Sequence, residues 1–225
     1  MRVVVAGATG RIGSRTVARL RDHGVEAVPV SRRHGVDVIT GDGLDEALRG
    51  AEVLVDVTDA PARTEGAGLQ FFHTATTNLL TAAAAAGVEH HMVLSVVGAD
   101  WLWSDYFRAK PLKEQIVRNS PVPHSIVRAT PFFESIEVMV EKNTLYDRVH
   151  VAPVLAQPVS TDDLAVAVAH VAVGLPLFGV LKVAGPEVRR LDDLAGEALT
   201  ARRDSRVVVP DAQARYVDRP LSQPG

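Results

Sequence analysis

The 225-residue chain contains no cysteine. That absence excludes disulfides, thiolate catalysis, cysteine-ligated zinc and iron–sulfur clusters, and it fits the reducing cytoplasm. An excess of positive charge is also missing. Lys and Arg total 24 against 27 Asp and Glu, a formal net charge of −3, so a surface that coats nucleic acid by neutralising phosphates is not expected. Charges, glycines and prolines interrupt every apolar stretch before it reaches the length of a membrane span, and no membrane association is expected. The N-terminus enters a strand pattern directly, without the charged and apolar regions of a secretory leader. No Gly-x-Ser-x-Gly elbow occurs, so a Ser-His-Asp hydrolase has no support. What remains is the ordinary mix of a globular protein, 47% hydrophobic and 23% charged, long enough for one α/β domain with a sizeable core.

Val3 to Ala6 is a short β-branched run without alternation, the pattern of a parallel strand buried on both faces. Arg11 to His23 has helical spacing and Gly24 is its natural stop. A second strand follows at Val25–Val30, although Pro29 lacks the N–H that a ladder needs. Further strands are expected at Val36–Ile39, Val53–Val57, Met92–Val97, His124–Arg128, Leu177–Val183 and Val207–Val209. Helices are expected at Leu44–Arg49, Leu69–Ala86, Asp105–Asn119, Phe132–Tyr146, Leu164–Val173 and Leu191–Thr200. The tail from Asp211 reads as extended. Thr161-Asp162-Asp163 places acids in a first helical turn, where they favour the dipole. Strand and helix alternate up to about residue 128, which forces parallel pairing through right-handed crossovers. The expected fold is a Rossmann-type doubly wound α/β sheet in a single domain. Its core spans about residues 1–130, with pieces of a small C-terminal lobe at about 130–158 and 185–225.

Gly7-Ala8-Thr9-Gly10-Arg11-Ile12-Gly13 lies between the first strand and the first helix. In such a turn the first glycine permits the tight bend, the second lets a pyrophosphate approach the backbone, and the third brings the helix close to the sheet. The phosphates then sit on the free N–H groups of the helix N-terminus. The end of the second strand selects the nucleotide. An acid at this place would bond a ribose 2′-hydroxyl; here the segment is Ser31-Arg32-Arg33. Ser31 can donate to a 2′-phosphate, Arg32 can clamp it through two bonds and Arg33 adds charge. NADP(H) is therefore expected in preference to NAD(H).

Tyr106 and Lys110 share a helical face at i and i+4. An ammonium beside a phenol favours the phenolate, so this pair suits proton exchange with a carbonyl or alcohol while hydride moves at a nicotinamide. Ser95, at the end of the preceding strand, can hydrogen-bond the substrate oxygen. Pro111 opposes the pairing, because a proline in the helix interior kinks it. Trp101 and Trp103 either cap a flat aromatic substrate or cover core. His90 and His91 point to opposite faces of a strand and cannot readily chelate one ion, so no metal is expected.

The glycine turn, Asn78-Leu79-Leu80, Ala86-Gly87-Val88, Leu94-Ser95-Val96-Val97-Gly98, Tyr106-x-x-x-Lys110 and Ile126 to Glu134 together resemble the atypical short-chain dehydrogenase/reductases of the NmrA-like kind. That group holds NAD(P)H-dependent reductases of quinones, azo dyes and small carbonyls, and also NADP-binding sensors without catalysis. The resemblance implies that Gly7, Thr9, Gly10, Arg11 and Ile12 line the pyrophosphate and that Ser31 and Arg32 hold the adenosine phosphate. It implies that Asp56, Val57, Thr58 and Asp59 end a strand beside the cofactor. Ser95, Tyr106 and Lys110 would surround the nicotinamide, with Thr130, Pro131 and Phe132 nearby. The expected function is NADPH-dependent reduction of a small aromatic or quinone-like carbonyl by a cytoplasmic monomer or homodimer. A non-catalytic NADP(H) sensor, or an isomerase or cyclase on the same fold, is the alternative.

Overall fold

The computed structural model describes residues 1–60, 67–98, 105–216 and 219–220, with 105–108, 215–216 and 219–220 described through their backbone alone. In chain order the elements are β1 (Arg2–Ala6), α1 (Arg11–Asp22), β2 (Glu26–Val30), α2 (Leu44–Leu48), β3 (Val53–Asp56), α3 (Ala67–Ala86), β4 (His90–Val96), α4 (Asp105–Arg118) and β5 (His124–Ala129). There follow α5 (Phe133–Lys142), β6 (Thr144–Leu145), β7 (Arg148–Val151), β8 (Leu155–Ala156), α6 (Thr161–Val173), β9 (Val180–Val183), β10 (Arg189–Arg190), α7 (Leu191–Ala201) and β11 (Val207–Pro210). The chain divides into two compact units. The first is Met1–Ala129 with Thr161–Val183, and the second is Thr130–Ser160 with Ala184–Gly225.

The first unit holds a six-stranded sheet in the order β2-β1-β3-β4-β5-β9, every pair parallel. β1 and β3 are buried along both faces, which accounts for their unbroken apolar runs. Leu54, Leu79, Val93, Val117 and Ile126 belong to one buried cluster that joins β3, β4 and β5 to α3 and α4. On α1, Ile12, Thr16, Val17 and Leu20 form the buried face, and Arg15 Nε reaches Asp162 Oδ1 of α6 at 3.0 Å. β2 is an edge strand. Pro29 is tolerated there because one side of the strand has no ladder to supply.

The structure departs from the sequence reading most clearly at three places. Val36–Ile39 is a turn, not a strand. The Asp37 carboxylate accepts from the Ile39 N–H, and the Asn78 amide donates to the carbonyls of Val38 and Ile39 at 3.0 and 2.9 Å. Side chains thus serve the backbone groups that a neighbouring strand would have taken. α5 ends at Lys142, because Thr144–Leu145 turns back antiparallel onto β7. β9 starts at Val180, since Phe178 before it sits at φ 49°. In the second unit β7 lies between β6 and β11, and β8 pairs with β10. Ile136, Met139, Val149, Val151, Leu191 and Leu194 form its core.

Candidate nucleotide-binding and active site

The glycine turn is built by exclusion of side chains. Gly7 has φ +87°, and a Cβ there would stand 2.9 Å from the Val57 carbonyl carbon and oxygen. At Gly13 a Cβ would meet the Gly7 oxygen at 2.2 Å, so α1 packs on the turn at a distance only glycine permits. Gly10 is the residue before α1; its N–H donates to the Gly7 carbonyl at 2.9 Å, and no side chain caps the helix. The first N–H groups of α1 therefore have no side-chain acceptor. Thr9, Gly10 and Arg11 are exposed around this end, while Ile12 is buried beneath it. Such an end favours anions.

The Val30 carbonyl accepts from the N–H groups of Gly7 and Ala8 at 3.1 and 3.2 Å. These bonds seat Ser31 directly beside the glycine turn. Arg32–His34 then form one turn of 3-10 helix. Arg32 and Arg33 are exposed, and no ion pair engages either of them among the described residues. Ser31 Oγ lies 2.8 Å from His34 Nδ1.

β3 leads into the turn from the other side. The Val57 N–H donates to the Ala6 carbonyl at 3.0 Å, and the backbone of Val57 and Thr58 faces Gly7. Asp56 is fully buried. Its Oδ1 accepts from the N–H and hydroxyl of Thr58 at 2.9 and 2.6 Å, and its Oδ2 stands 3.0 Å from the equally buried Nζ of Lys113. Burial alone would raise the Asp56 carboxyl, but Lys113 and the Thr58 bonds outweigh it and leave the group below its ordinary value. Burial lowers the Lys113 amine against the pull of Asp56. Burial also pushes the neighbouring His91 down to about 4. One turn earlier on α4, Lys110 Nζ lies 3.0 Å from Asp59 Oδ1 and 4.3 Å from the Phe72 ring centre; Lys113 Nζ lies 5.4 Å from the same ring. The two aspartates at the exit of β3 and the two lysines of α4 thus form a pair of ion pairs around one aromatic ring.

Tyr106 and Lys110 lie on the same continuous helix, which carries Pro111 inside it. The Tyr106 side chain, Trp101 and Trp103 lie outside the described residues. Ser95, near the end of β4, is buried, and its Oγ has no hydrogen-bond partner among the described residues. Across the β4–β5 ladder it faces Arg128, whose guanidinium holds the buried Glu114 carboxylate through two 2.8 Å bonds. Thr130, Pro131 and Phe132 begin the second unit, where the Pro131 carbonyl accepts from the Val159 N–H at 2.9 Å. The sequence reading passed over Lys113, Asp56 as its partner, and Phe72. The letters were there, an acid inside an apolar strand and a second lysine three residues after the first, but nothing in the sequence pairs them.

Strand order reverses between β1 and β3, and in open α/β sheets that crevice at the carboxyl ends of the strands is where ligands bind. With the glycine turn at this place, fold and site define a dinucleotide-binding protein of the Rossmann class. The sequence profile described as NAD(P)H-binding matches residues 7–173, and the chain belongs to that family. No curated protein matches the sequence. Solved structures share the fold at low identity. The triphenylmethane reductase of Citrobacter sp., complexed with NADP(H), is 17% identical with TM-score 0.70, over 94% of this chain and 79% of that one. The NADPH-dependent quinone oxidoreductase of Escherichia coli, complexed with NADPH, is 20% identical with TM-score 0.75, over 94% and 79%. The UDP-glucose 4-epimerase of Thermus thermophilus, in complex with NAD, is 18% identical with TM-score 0.77, over 99% and 90%. Among the described residues no helix is long and apolar enough to cross a membrane.

Proposed function

We propose that the chain is an NADPH-dependent oxidoreductase that reduces a small carbonyl compound of aromatic or quinone-like character. The observation that carries the nucleotide half is the turn itself. A Cβ at Gly7 or Gly13 would collide with backbone, one at Gly10 would crowd the Gly7 carbonyl at 3.2 Å, and the helix behind the turn has no side-chain cap. The main-chain N–H groups of Arg11 and Ile12, with Thr9 and Gly10, would hold the pyrophosphate, and Val57 and Thr58 would flank it. Ser31 and the exposed Arg32 and Arg33 would hold a 2′-phosphate, which favours NADP(H) over NAD(H). Two structural neighbours are named for triphenylmethane and quinone, which supports a flat acceptor.

The bound reduced nicotinamide would supply a hydride to the carbonyl carbon. The Tyr106 phenol then gives its proton to the carbonyl oxygen. Lys110 makes that transfer easier by favouring the phenolate left behind. Ser95 would orient the carbonyl oxygen, and the lack of a hydrogen-bond partner for its hydroxyl among the described residues supports that part. The Asp59–Lys110 ion pair favours a second reading, a non-catalytic NADP(H) sensor, because a carboxylate on Lys110 opposes its pull on the phenol.

The test is oxidation of NADPH against a panel of quinones and aromatic aldehydes, followed by the absorbance of the reduced nicotinamide. Turnover that falls at least about a hundredfold in Tyr106→Phe supports the reductase. Tight NADP binding without turnover, unchanged by Tyr106→Phe, supports the sensor. Absence of any heat or thermal shift with either nucleotide overturns both.

A further inference from the structure

We propose that His34 sets the hydrogen-bond polarity of Ser31 and so acts as a specificity-determining residue for the 2′-phosphate. The inference rests on the NADP(H) reading above and assigns a role to a side chain outside the glycine turn and the arginines. The geometry is local and well supported by the backbone. Ser31 is extended, and its carbonyl accepts from the His34 N–H at 2.8 Å and the Val36 N–H at 3.1 Å. Those bonds close the turn and hold the imidazole over the Ser31 side chain, with Oγ 2.8 Å from Nδ1. The hydroxyl does not cap the turn it begins.

A serine hydroxyl has one proton to give, whereas a phosphate oxygen can only accept it. Two arrangements satisfy the 2.8 Å contact. If Nδ1 is bare, the Ser31 O–H donates to it and the serine turns only lone pairs outward. If Nδ1 carries a proton, it donates to Oγ and the O–H is released toward a ligand. A phosphate at this place selects the second arrangement, and a plain ribose hydroxyl, which can give or take, selects neither. His34 therefore adds to discrimination between a phosphorylated and an unphosphorylated adenosine without itself having to touch the phosphate. The surroundings leave this choice to the ligand. Arg32 and Arg33 are the cationic neighbours. The two acids of the adjoining turn are engaged elsewhere: Asp37 accepts from the Ile39 N–H, and Asp42 from the Thr40 hydroxyl at 2.7 Å.

The experiment is calorimetric titration of the full chain with 2′,5′-ADP and, separately, 5′-AMP. Both reach only the adenosine end, so no substrate is needed. For the unaltered chain 2′,5′-ADP binds more tightly. His34→Ala narrows that preference by roughly fivefold, the effect of one neutral hydrogen bond behind the serine–phosphate contact. His34→Asn restores most of it, because the asparagine Nδ2 is a permanent donor near the Nδ1 position. In a Ser31→Ala background His34→Ala and His34→Asn become indistinguishable, since both act through the missing hydroxyl. Thermal unfolding without ligand confirms that each variant folds. Equal behaviour of His34→Ala and His34→Asn with Ser31 present overturns the inference and leaves NADP(H) preference standing. So does a His34→Ala effect that persists after Ser31→Ala. No preference for 2′,5′-ADP in the unaltered chain overturns the NADP(H) reading itself, and this inference with it.

Discussion

A methyl group at position 13 would meet three backbone atoms within 3 Å, the Gly7 oxygen and carbon and the Ala8 Cα. None is the yielding end of a side chain. Gly13→Ala is expected to lower unfolding free energy by about 2–3 kcal/mol, measured in urea, and to abolish the thermal shift with NADPH. The Asp56–Lys113 pair makes a different prediction. Removing one partner strands a charge in the interior, so Lys113→Met should cost about 3–5 kcal/mol. Asp56→Asn on top of it should recover much of that loss, since the amide oxygen keeps the Thr58 bonds while no charge is left behind. A double-mutant cycle by denaturant unfolding checks the sign. His91 sets a pH dependence. Its folded value of about 4 lies below the ordinary imidazole value of 6.5, so in the window between them the unfolded chain takes a proton that the folded chain refuses. Stability is then full above the unfolded value, falls as pH drops toward about 4, and levels below it. Burial depresses His90 and His124 in the same direction. Unfolding measured from neutral to acid pH should show this slope, and His91→Leu should flatten part of it.

At the scale of elements, Asn78 on α3 holds the Val38 and Ile39 carbonyls. Asn78→Ala should destabilise by about 1–3 kcal/mol, read as an earlier urea midpoint with unchanged slope, and amide exchange should quicken at residues 36–43. This turn also marks where reading from sequence ends. β1, α1 and β3 were legible because their apolar spacing and the glycines between them specify one arrangement. Val36–Ile39 has strand composition, yet a side chain forty residues onward satisfies its backbone, and no local pattern reveals that. The two-residue strands β6, β8 and β10 are too short for periodicity to register. In the site, the turn's glycines and Ser31–Arg32 were visible by type and spacing. The Asp56–Lys113 and Asp59–Lys110 pairs were not, because they join the exit of β3 to a helix far along the chain.

At the scale of the molecule, a ligand that binds only the folded chain stabilises the whole first unit by mass action. NADPH at about a hundred times its Kd should add about 2.7 kcal/mol. Arg32→Glu should remove that gain for NADPH and spare NADH, a contrast that thermal denaturation with each nucleotide resolves. The six-stranded sheet has a further consequence for how the protein is made. β9, the outermost strand beyond β5, comes from Val180–Val183, after the chain has left the first unit at Ala129 and returned at Thr161. While the polypeptide is still emerging from the ribosome, β5 is the naked rim of an incomplete sheet, with its ladder groups open to any extended neighbour. The topology therefore opens a central strand of the sheet during synthesis, in the interval before that last strand arrives.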